Sequence, residues 1–253
     1  VRMNKGTHGG AKDLPLPDTS SRPVYILDKM LFNYKNVGFI HIVYPTSVIV
    51  HMVRDPMDNL FSAYKKKFDN QGMEWTLNTE HLVANYVEYL RVMQHYRLVL
   101  PGRVLDIPFE LLVNYPRDVL QQIIAATGLE WDDRLLNLQA SSRVIHTHSR
   151  TQLNAGIHNS SVGAWVKYAP QLQQVAAELK KYLPTLRAEG ALPLHRYYNW
   201  ELDPSFDYSE SVQSMARDLG FVYDEEGSEE SEESERPGGY EGYEGYEGYE
   251  GYE

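Results

Sequence analysis

The sequence predicts an α/β domain in which helices cover both faces of a parallel sheet. Short apolar runs of strand type alternate along the chain with longer amphipathic stretches of helical period. Helices between strands provide the crossover connections that parallel strands need. We therefore expect a three-layer domain over residues 23–223, between a disordered lead-in (1–22) and a disordered tail (224–253).

The first elements should form a βαβ unit. Residues 24–27 are apolar and predict a short strand, and Asn33 is a suitable cap for a helix that runs to Val43 and is stopped by Pro45. Residues 47–53 then predict a second strand that is buried on both faces. These two strands should be parallel neighbours joined by a right-handed crossover.

A second helix should begin directly after this strand. Asp55 is a typical N-cap, Pro56 suits the first helical position, and Asp58 follows three residues after the cap. The remaining predicted elements are a helix over 79–98, a strand over 103–107, a helix over 116–126 that ends at Gly128, short helices over 132–138 and 162–168, and a helix over 170–183.

Composition excludes several classes of site. The chain has no cysteine, so it can form neither a disulfide nor a thiolate metal site. Residues 224–253 hold 13 acidic residues and one basic residue, which leaves residues 1–223 at about +1 of the total charge of −11. We expect no nucleic-acid partner for this nearly neutral body, and no apolar run reaches the ~20 residues of a membrane span.

A candidate anion site lies where the second predicted strand ends. Arg54 follows that strand, Ser62 lies on the next helix, and Lys66 is placed one helical turn further on the same face. Lys29 follows the first predicted strand and should reach the same edge of the sheet. A guanidinium, a hydroxyl and ammonium groups together suit a phosphate monoester.

The alternative interpretation of these residues is structural. Arg54 would then pair with Asp55 or Asp58, while Lys65 and Lys67 would belong to a solvated helix face.

Four stretches resemble one enzyme family. DKMLFNYKNVGFIHIVYPTSVIVHMVRDPMDNLFSAYKKKF, LPGRVLDIPFELLVNYP, GLEWDD and RVIHTHSRTQLNAGIHNSSVGAWVKY are similar, in this order, to segments of sulfotransferases that use 3′-phosphoadenosine 5′-phosphosulfate (PAPS). The similarity spans roughly residues 24–183 and is greatest to the branch of tyrosylprotein and tetratricopeptide-linked sulfotransferases. It implies a P-loop NTPase-like fold and, without a metal, transfer of a sulfuryl group from PAPS to a hydroxyl of a protein tyrosine, a carbohydrate or a small molecule.

The resemblance also implies roles for individual residues. Arg54 and Ser62 match the pair that binds the 3′-phosphate of the donor, with Lys66 as a further basic contact, and Lys29 matches the catalytic lysine beside the transferring group. The residues that match the late loop over the nucleotide are Ser149, Thr151, Gln152, Ser161, Gly163 and Trp165.

The chain also departs from the family pattern. Residues 1–23 contain no glycine-rich loop for the 5′-phosphosulfate, and the acidic catalytic base that follows this loop is missing with it. Leu31 replaces a usual proline, and Phe109 replaces a usual tyrosine. We therefore expect a sulfotransferase without its first βα unit. It is either part of an active enzyme or an inactive homologue that binds a nucleotide or a protein partner.

Three further features complete the expectations. His146 and His148 have no convincing third ligand, so a metal site is disfavoured, and a kinase or NTPase would need a Lys-Ser/Thr P-loop and a magnesium-binding aspartate that are not found. The tail repeats Tyr-Glu-Gly, a context typical of sulfated tyrosines, and two interpretations of it stay open: an acceptor on the enzyme's own chain, or a repeat that only increases solubility. A eukaryotic tyrosylprotein sulfotransferase would lie in the Golgi lumen, and other members in the cytoplasm.

Overall fold

The computed structural model describes residues 25–66, 72–137 and 157–221. Within them the α-helices are α1 (Val37–Val43), α2 (Pro56–Tyr64), α3 (Thr79–Val99), α4 (Phe109–Asn114), α5 (Pro116–Thr127), α6 (Gln173–Lys180), α7 (Leu183–Ala188) and α8 (Tyr208–Asp218). The strands are β1 (Ile49–Val53) and β2 (Val104–Pro108), and the 3₁₀-helices are Asn33–Asn36, Glu74–Leu77, Asp133–Leu136 and Ala164–Tyr168.

The two strands form a small parallel sheet, and α2 and α3 lie between them in the chain. His51 of β1 is the register partner of Asp106 of β2, and Val53 is the partner of Pro108. Both strands therefore end at the same edge, with Arg54 just beyond it. This mixed helix and strand arrangement is consistent with the expected α/β fold.

The prediction of a first strand at residues 24–27 is wrong for its described part. Tyr25, Ile26 and Leu27 have no regular secondary structure and are 64%, 90% and 94% exposed. A strand forms only where a neighbour accepts its hydrogen bonds, and β1 pairs within the described residues with β2 alone. Lys29 consequently lies in an exposed irregular segment and not at the end of a strand.

The prediction that β1 is buried on both faces is also wrong. Val53 is 1% exposed, but Val50 and Met52 are 39% and 41% exposed. Strand side chains alternate between the two faces of a sheet, so one face of β1 points into the core and the other is left partly open.

The helices supply most of the core. Leu82, Tyr86, Leu90 and Met93 share one buried face of α3, as the sequence predicts. Asn78 caps this helix by accepting a hydrogen bond from the His81 amide at 2.9 Å. Helix α5 ends at Gly128 with φ +69°, which confirms the predicted stop.

Other helices differ in detail from the prediction. The helix expected over 33–43 is a 3₁₀ turn followed by α1, and the side chain of Asn33 donates to Asp28 where a cap was expected. The predicted helix over 170–183 ends at Lys180, and α7 follows with Pro184 in its first turn. Helices α4 and α8 were not predicted. The predicted lead-in and tail lie outside the described residues.

Candidate nucleotide-binding site

Helix α2 begins at a sharp junction that places Arg54 at the edge of the sheet. The side chain of Asp55 caps the helix, because its Oδ1 accepts hydrogen bonds from the amides of Met57 at 3.0 Å and Asp58 at 3.1 Å. Pro56 occupies the first turn, where no amide proton is needed. This part of the sequence prediction is confirmed.

The reciprocal half of this cap comes from another part of the chain. A residue three positions after the cap often accepts the cap residue's own amide, and Asp58 has that position. The amide of Asp55 instead donates to Oε1 of Glu110 at 2.9 Å. The other carboxylate oxygen of Glu110 accepts a hydrogen bond from the Tyr198 hydroxyl at 2.7 Å. Glu110 therefore connects the junctions after β1 and β2.

Asp58 fixes the late loop against α2. Its two carboxylate oxygens accept from the amides of Gly163 at 2.6 Å and Trp165 at 3.0 Å. Gly163 has φ +64°, and an added Cβ would lie 2.7 Å from the Tyr208 ring. Only glycine fits both the backbone conformation and the space at this position.

Arg54 is held on two sides. One terminal nitrogen donates to the carbonyl oxygen of Ser161 at 2.7 Å, and its Cζ lies 4.7 Å from the centroid of the Phe109 ring. Its Nε is buried and has no hydrogen-bond partner among the residues that the structure describes. A buried, unpaired N–H of a guanidinium is costly unless an acceptor reaches it.

The structural alternative expected Arg54 to form an ion pair with Asp55 or Asp58. In the described part of the chain, no ion pair within 4.0 Å joins Arg54 to Asp55 or Asp58. Phe109, which sequence reasoning treated as the loss of a tyrosine hydroxyl, provides the surface on which the guanidinium packs.

Three buried carboxyl groups surround the junction. Burial and the neighbouring carboxyls of Asp58 and Glu110 raise the pKa of Asp55 to about 8. Burial likewise raises the pKa of Asp58, although hydrogen bonds from the Trp165 and Gly163 amides and the charge of Arg54 oppose the change. The pKa of Glu110 is raised for the same reason of burial. The positive charge of Arg54 thus favours ionisation of Asp58 and Glu110.

The other predicted site residues within the described ranges belong to helix α2, to its C-terminal end or to the core. Ser62 is half-buried on α2, but the helix ends at Tyr64, so Lys66 does not continue its face as predicted. Trp165 is 2% exposed and packs in the core, with its indole N–H donated to the Tyr208 hydroxyl. Ser149, Thr151 and Gln152 lie outside the described residues, as do His146 and His148.

Sequence reasoning missed the buried residues that support Arg54. These residues are Glu110, Tyr198 and Asn199. The backbone N–H of Asn199 donates to Oδ2 of Asp55 at 3.2 Å. A glutamate two residues after the end of β2 was the one available signal. Tyr198 and Asn199 gave none, because they approach the junction from a distant part of the chain.

Metal-binding clusters and membrane-spanning helices are both absent from the residues that the structure describes. No three histidine, aspartate or glutamate side chains are grouped there in a way that could hold a metal ion. None of the helices in the described ranges is long and apolar enough to cross a membrane.

Residues 15–133 match the family model described as "Sulfotransferase family". This segment, just under half of the chain, is thus similar to the sulfotransferase family. The matched segment includes Arg54, Asp55 and Glu110, and thus most of the junction described above. The chain is also 27% identical over 160 residues to a protein of Aquifex aeolicus (strain VF5) named only "Uncharacterized protein". The similar segment covers 62% of this chain and only 21% of the length of the relative.

Proposed function

We propose that this domain recognises the 3′-phosphate of PAPS through Arg54, as part of a sulfotransferase that acts on a hydroxyl acceptor. The proposal rests on the position and the hydrogen bonding of the Arg54 guanidinium. This group is fixed by Ser161 and Phe109 beyond the carboxyl end of β1, while its buried Nε has no hydrogen-bond partner among the described residues. Ligands of parallel sheets bind at this edge.

The residues at the junction fit a phosphate-bearing nucleotide. The fork of Arg54 can donate to two phosphate oxygens at once, and the hydroxyl of Ser62 can donate a further hydrogen bond. Lys66 adds positive charge close to the end of α2. Asp58 and Glu110 would hold the loop and helices that carry these groups. When bound, PAPS supplies an activated sulfuryl group for transfer to an acceptor hydroxyl.

The second candidate function is nucleotide binding without transfer. It is favoured by the position of Lys29, which the resemblance places beside the transferring group but which lies in an exposed irregular segment. Such a protein would bind 3′-phosphoadenosine 5′-phosphate (PAP) but would not move the sulfuryl group of PAPS to any hydroxyl. Mass spectrometry of protein incubated with PAPS would separate the two functions, with the Tyr-Glu-Gly tail as one acceptor to inspect.

Calorimetric titration with PAP and with 5′-AMP tests the proposal directly. The two ligands differ in the 3′-phosphate, so we expect PAP to bind at least about tenfold more tightly. Arg54→Lys keeps a positive charge near Asp58 and Glu110 but loses the planar guanidinium, which can bind two phosphate oxygens at once. This variant should lose most of the preference for PAP over 5′-AMP. Arg91→Lys is the matched control, because Arg91 forms a surface pair with Glu189.

Two results would overturn the nucleotide proposal. One is equal affinity for PAP and 5′-AMP in the wild-type protein. The other is an unchanged preference for PAP in Arg54→Lys, since the 3′-phosphate would then be bound elsewhere.

A further inference from the structure

The segment that begins at Ser161 runs beside helix α2. At one end of the helix, Arg54 donates to the carbonyl oxygen of Ser161 at 2.7 Å. Towards the other end, the rings of Phe61 and Tyr168 lie with their centroids 4.8 Å apart. The hydrogen bonds of the Asp58 carboxylate described above lie between these two contacts. The segment thus extends from the candidate phosphate site along the nine residues of α2, or about 14 Å.

Exposed lysines lie at the far end of this arrangement. Lys65 directly follows α2, and Lys167 lies near the end of the neighbouring segment. The ammonium group of Lys65 is 4.7 Å from the centroid of the Phe61 ring. In the described ranges, no ion pair within 4.0 Å neutralises either lysine. We call the surface formed by Arg54, Lys65 and Lys167 the basic strip.

Most of the negative charge of the chain lies in its last thirty residues. Residues 224–235, the acidic segment, hold eight acidic residues and no basic residue. Residues 240–253 hold five glutamates, one after each tyrosine of the repeat. A run of like charge of this length is typical of a segment that binds a surface of opposite charge.

The acidic segment begins close to the basic strip. Helix α8 starts at Tyr208, whose ring would lie 2.7 Å from a Cβ added to Gly163, in the middle of the segment beside α2. The 11 residues of α8 extend for about 16 Å, and Asp224 follows the helix by six positions. Twelve residues of extended chain span about 40 Å, so residues 224–235 can reach every part of the strip.

We propose that the acidic segment binds the basic strip of the same chain. Its carboxylates can accept hydrogen bonds from the guanidinium of Arg54 and from the two lysines. The short connection to the domain gives the acidic segment a high effective concentration at the strip. A carboxylate bound at Arg54 occupies the position proposed for the 3′-phosphate, so the acidic segment and the nucleotide compete. The competition rests on the proposed function, whereas the binding of the acidic segment does not.

Cross-linking of carboxylates to amines tests this binding without nucleotide. A water-soluble carbodiimide is applied to the full chain, and mass spectrometry of the monomer identifies the linked peptides. We expect links from residues 224–235 to Lys65 or Lys167 to be at least about fivefold more abundant than links to Lys35. Lys35 is the matched control, because it is also exposed but lies over the Phe32 ring, outside the strip.

Two charge-matched variants of the full chain identify the segment that binds. The first replaces Glu229, Glu230, Glu232, Glu233 and Glu235 with glutamine, and the second replaces Glu241, Glu244, Glu247, Glu250 and Glu253 with glutamine. Each variant loses five negative charges, so an effect of net charge alone is the same in both. In the first variant, links from the remaining acids at 224–226 should fall to the level of Lys35. In the second, links from 224–235 should stay as in the wild type.

Equal linking of Lys35 and the strip lysines, or strip links formed mainly by the glutamates of 240–253, would overturn the inference. Titration of the wild type with PAP and 5′-AMP separates it from the nucleotide proposal. Strip links in protein that does not prefer PAP refute the nucleotide site alone, and a preference for PAP without strip links refutes the binding of the acidic segment alone. Where both hold, PAP should reduce the strip links, and links that PAP leaves unchanged would refute the competition.

Discussion

The amide of Asp55 donates a hydrogen bond of 2.9 Å to the carboxylate of Glu110, a residue 55 positions later in the chain. The helix cap after β1 is thus completed from the first turn of the helix after β2. Because Arg54 immediately precedes Asp55 and packs on Phe109, which immediately precedes Glu110, this bond fixes the two halves of the candidate phosphate site to each other.

Replacing Glu110 should therefore destabilise the fold and loosen the site. Glu110→Ala leaves the Asp55 amide and the Tyr198 hydroxyl buried without an acceptor. At about 1–3 kcal/mol for each of the two groups, we expect the free energy of unfolding to fall by about 2–6 kcal/mol in urea titrations. Glu110→Gln keeps an acceptor oxygen and should lose less than about 2 kcal/mol.

Glu189→Ala is the control for removing a paired glutamate. Its partner Arg91 is on the surface, and both side chains are 40% exposed, so the loss should stay below about 1 kcal/mol. A loss in Glu110→Ala no larger than in this control would show that Glu110 does not support the junction.

Replacing Gly163 with alanine should destabilise the loop that contains this residue. Alanine there combines a left-handed backbone, φ +64°, with a Cβ 2.7 Å from the Tyr208 ring, and we expect a loss of about 2–4 kcal/mol in urea titrations. Gly102→Ala is matched in backbone, with φ +74°, but apart from its chain neighbours no atom of the described residues lies within 4 Å of the added Cβ, so it should lose only about 1 kcal/mol. Equal losses would mean that the contact with Tyr208 contributes nothing.

Stability should fall as the pH rises through the range in which Asp55 titrates. The pKa of Asp55 is about 8 in the folded protein and 3.8 as the ordinary value, so between these values the folded state holds a proton that the unfolded state has released. Rising pH therefore favours unfolding, with a slope on the order of 1 kcal/mol per pH unit.

Asp55→Asn isolates this contribution, because asparagine is also a good cap. We expect the unfolding free energy of the variant, measured from pH 5 to pH 8, to decline less than that of the wild type. Burial also raises the pKa of Asp58 and of Glu110, so the variant should keep part of the decline. Parallel profiles would contradict a raised pKa of Asp55.

The sequence alone predicts a structural feature where the residues that determine it lie close together in the chain. Asp55 followed by Pro56 specifies a helix start within a few residues, and Gly128 specifies a helix end. The apolar face of α3 follows from its helical period alone. The position of Arg54 beyond a strand was also predictable, because the apolar run that forms β1 directly precedes it.

The partners of these residues were not predictable in this way. Asp58 accepts hydrogen bonds from amides more than 100 residues away. The pairing of His51 with Asp106 depends on a register that only the folded sheet defines. The burial of β1 depends on what covers its outer face, and an apolar run gives no information about its neighbours.

The exposed face of β1 leads to a final prediction that compares two methionines. Met52 lies on that face and is 41% exposed, whereas Met57 in α2 is fully buried. Met57→Ala should lower the free energy of unfolding by about 2–5 kcal/mol, because it opens a cavity in the core. Met52→Ala should lower it by about 1 kcal/mol or less, since little buried surface is lost. Urea titrations of both variants give the comparison, and circular dichroism confirms their helix content. If Met52→Ala were as destabilising as Met57→Ala, the outer face of β1 would have to be covered in solution.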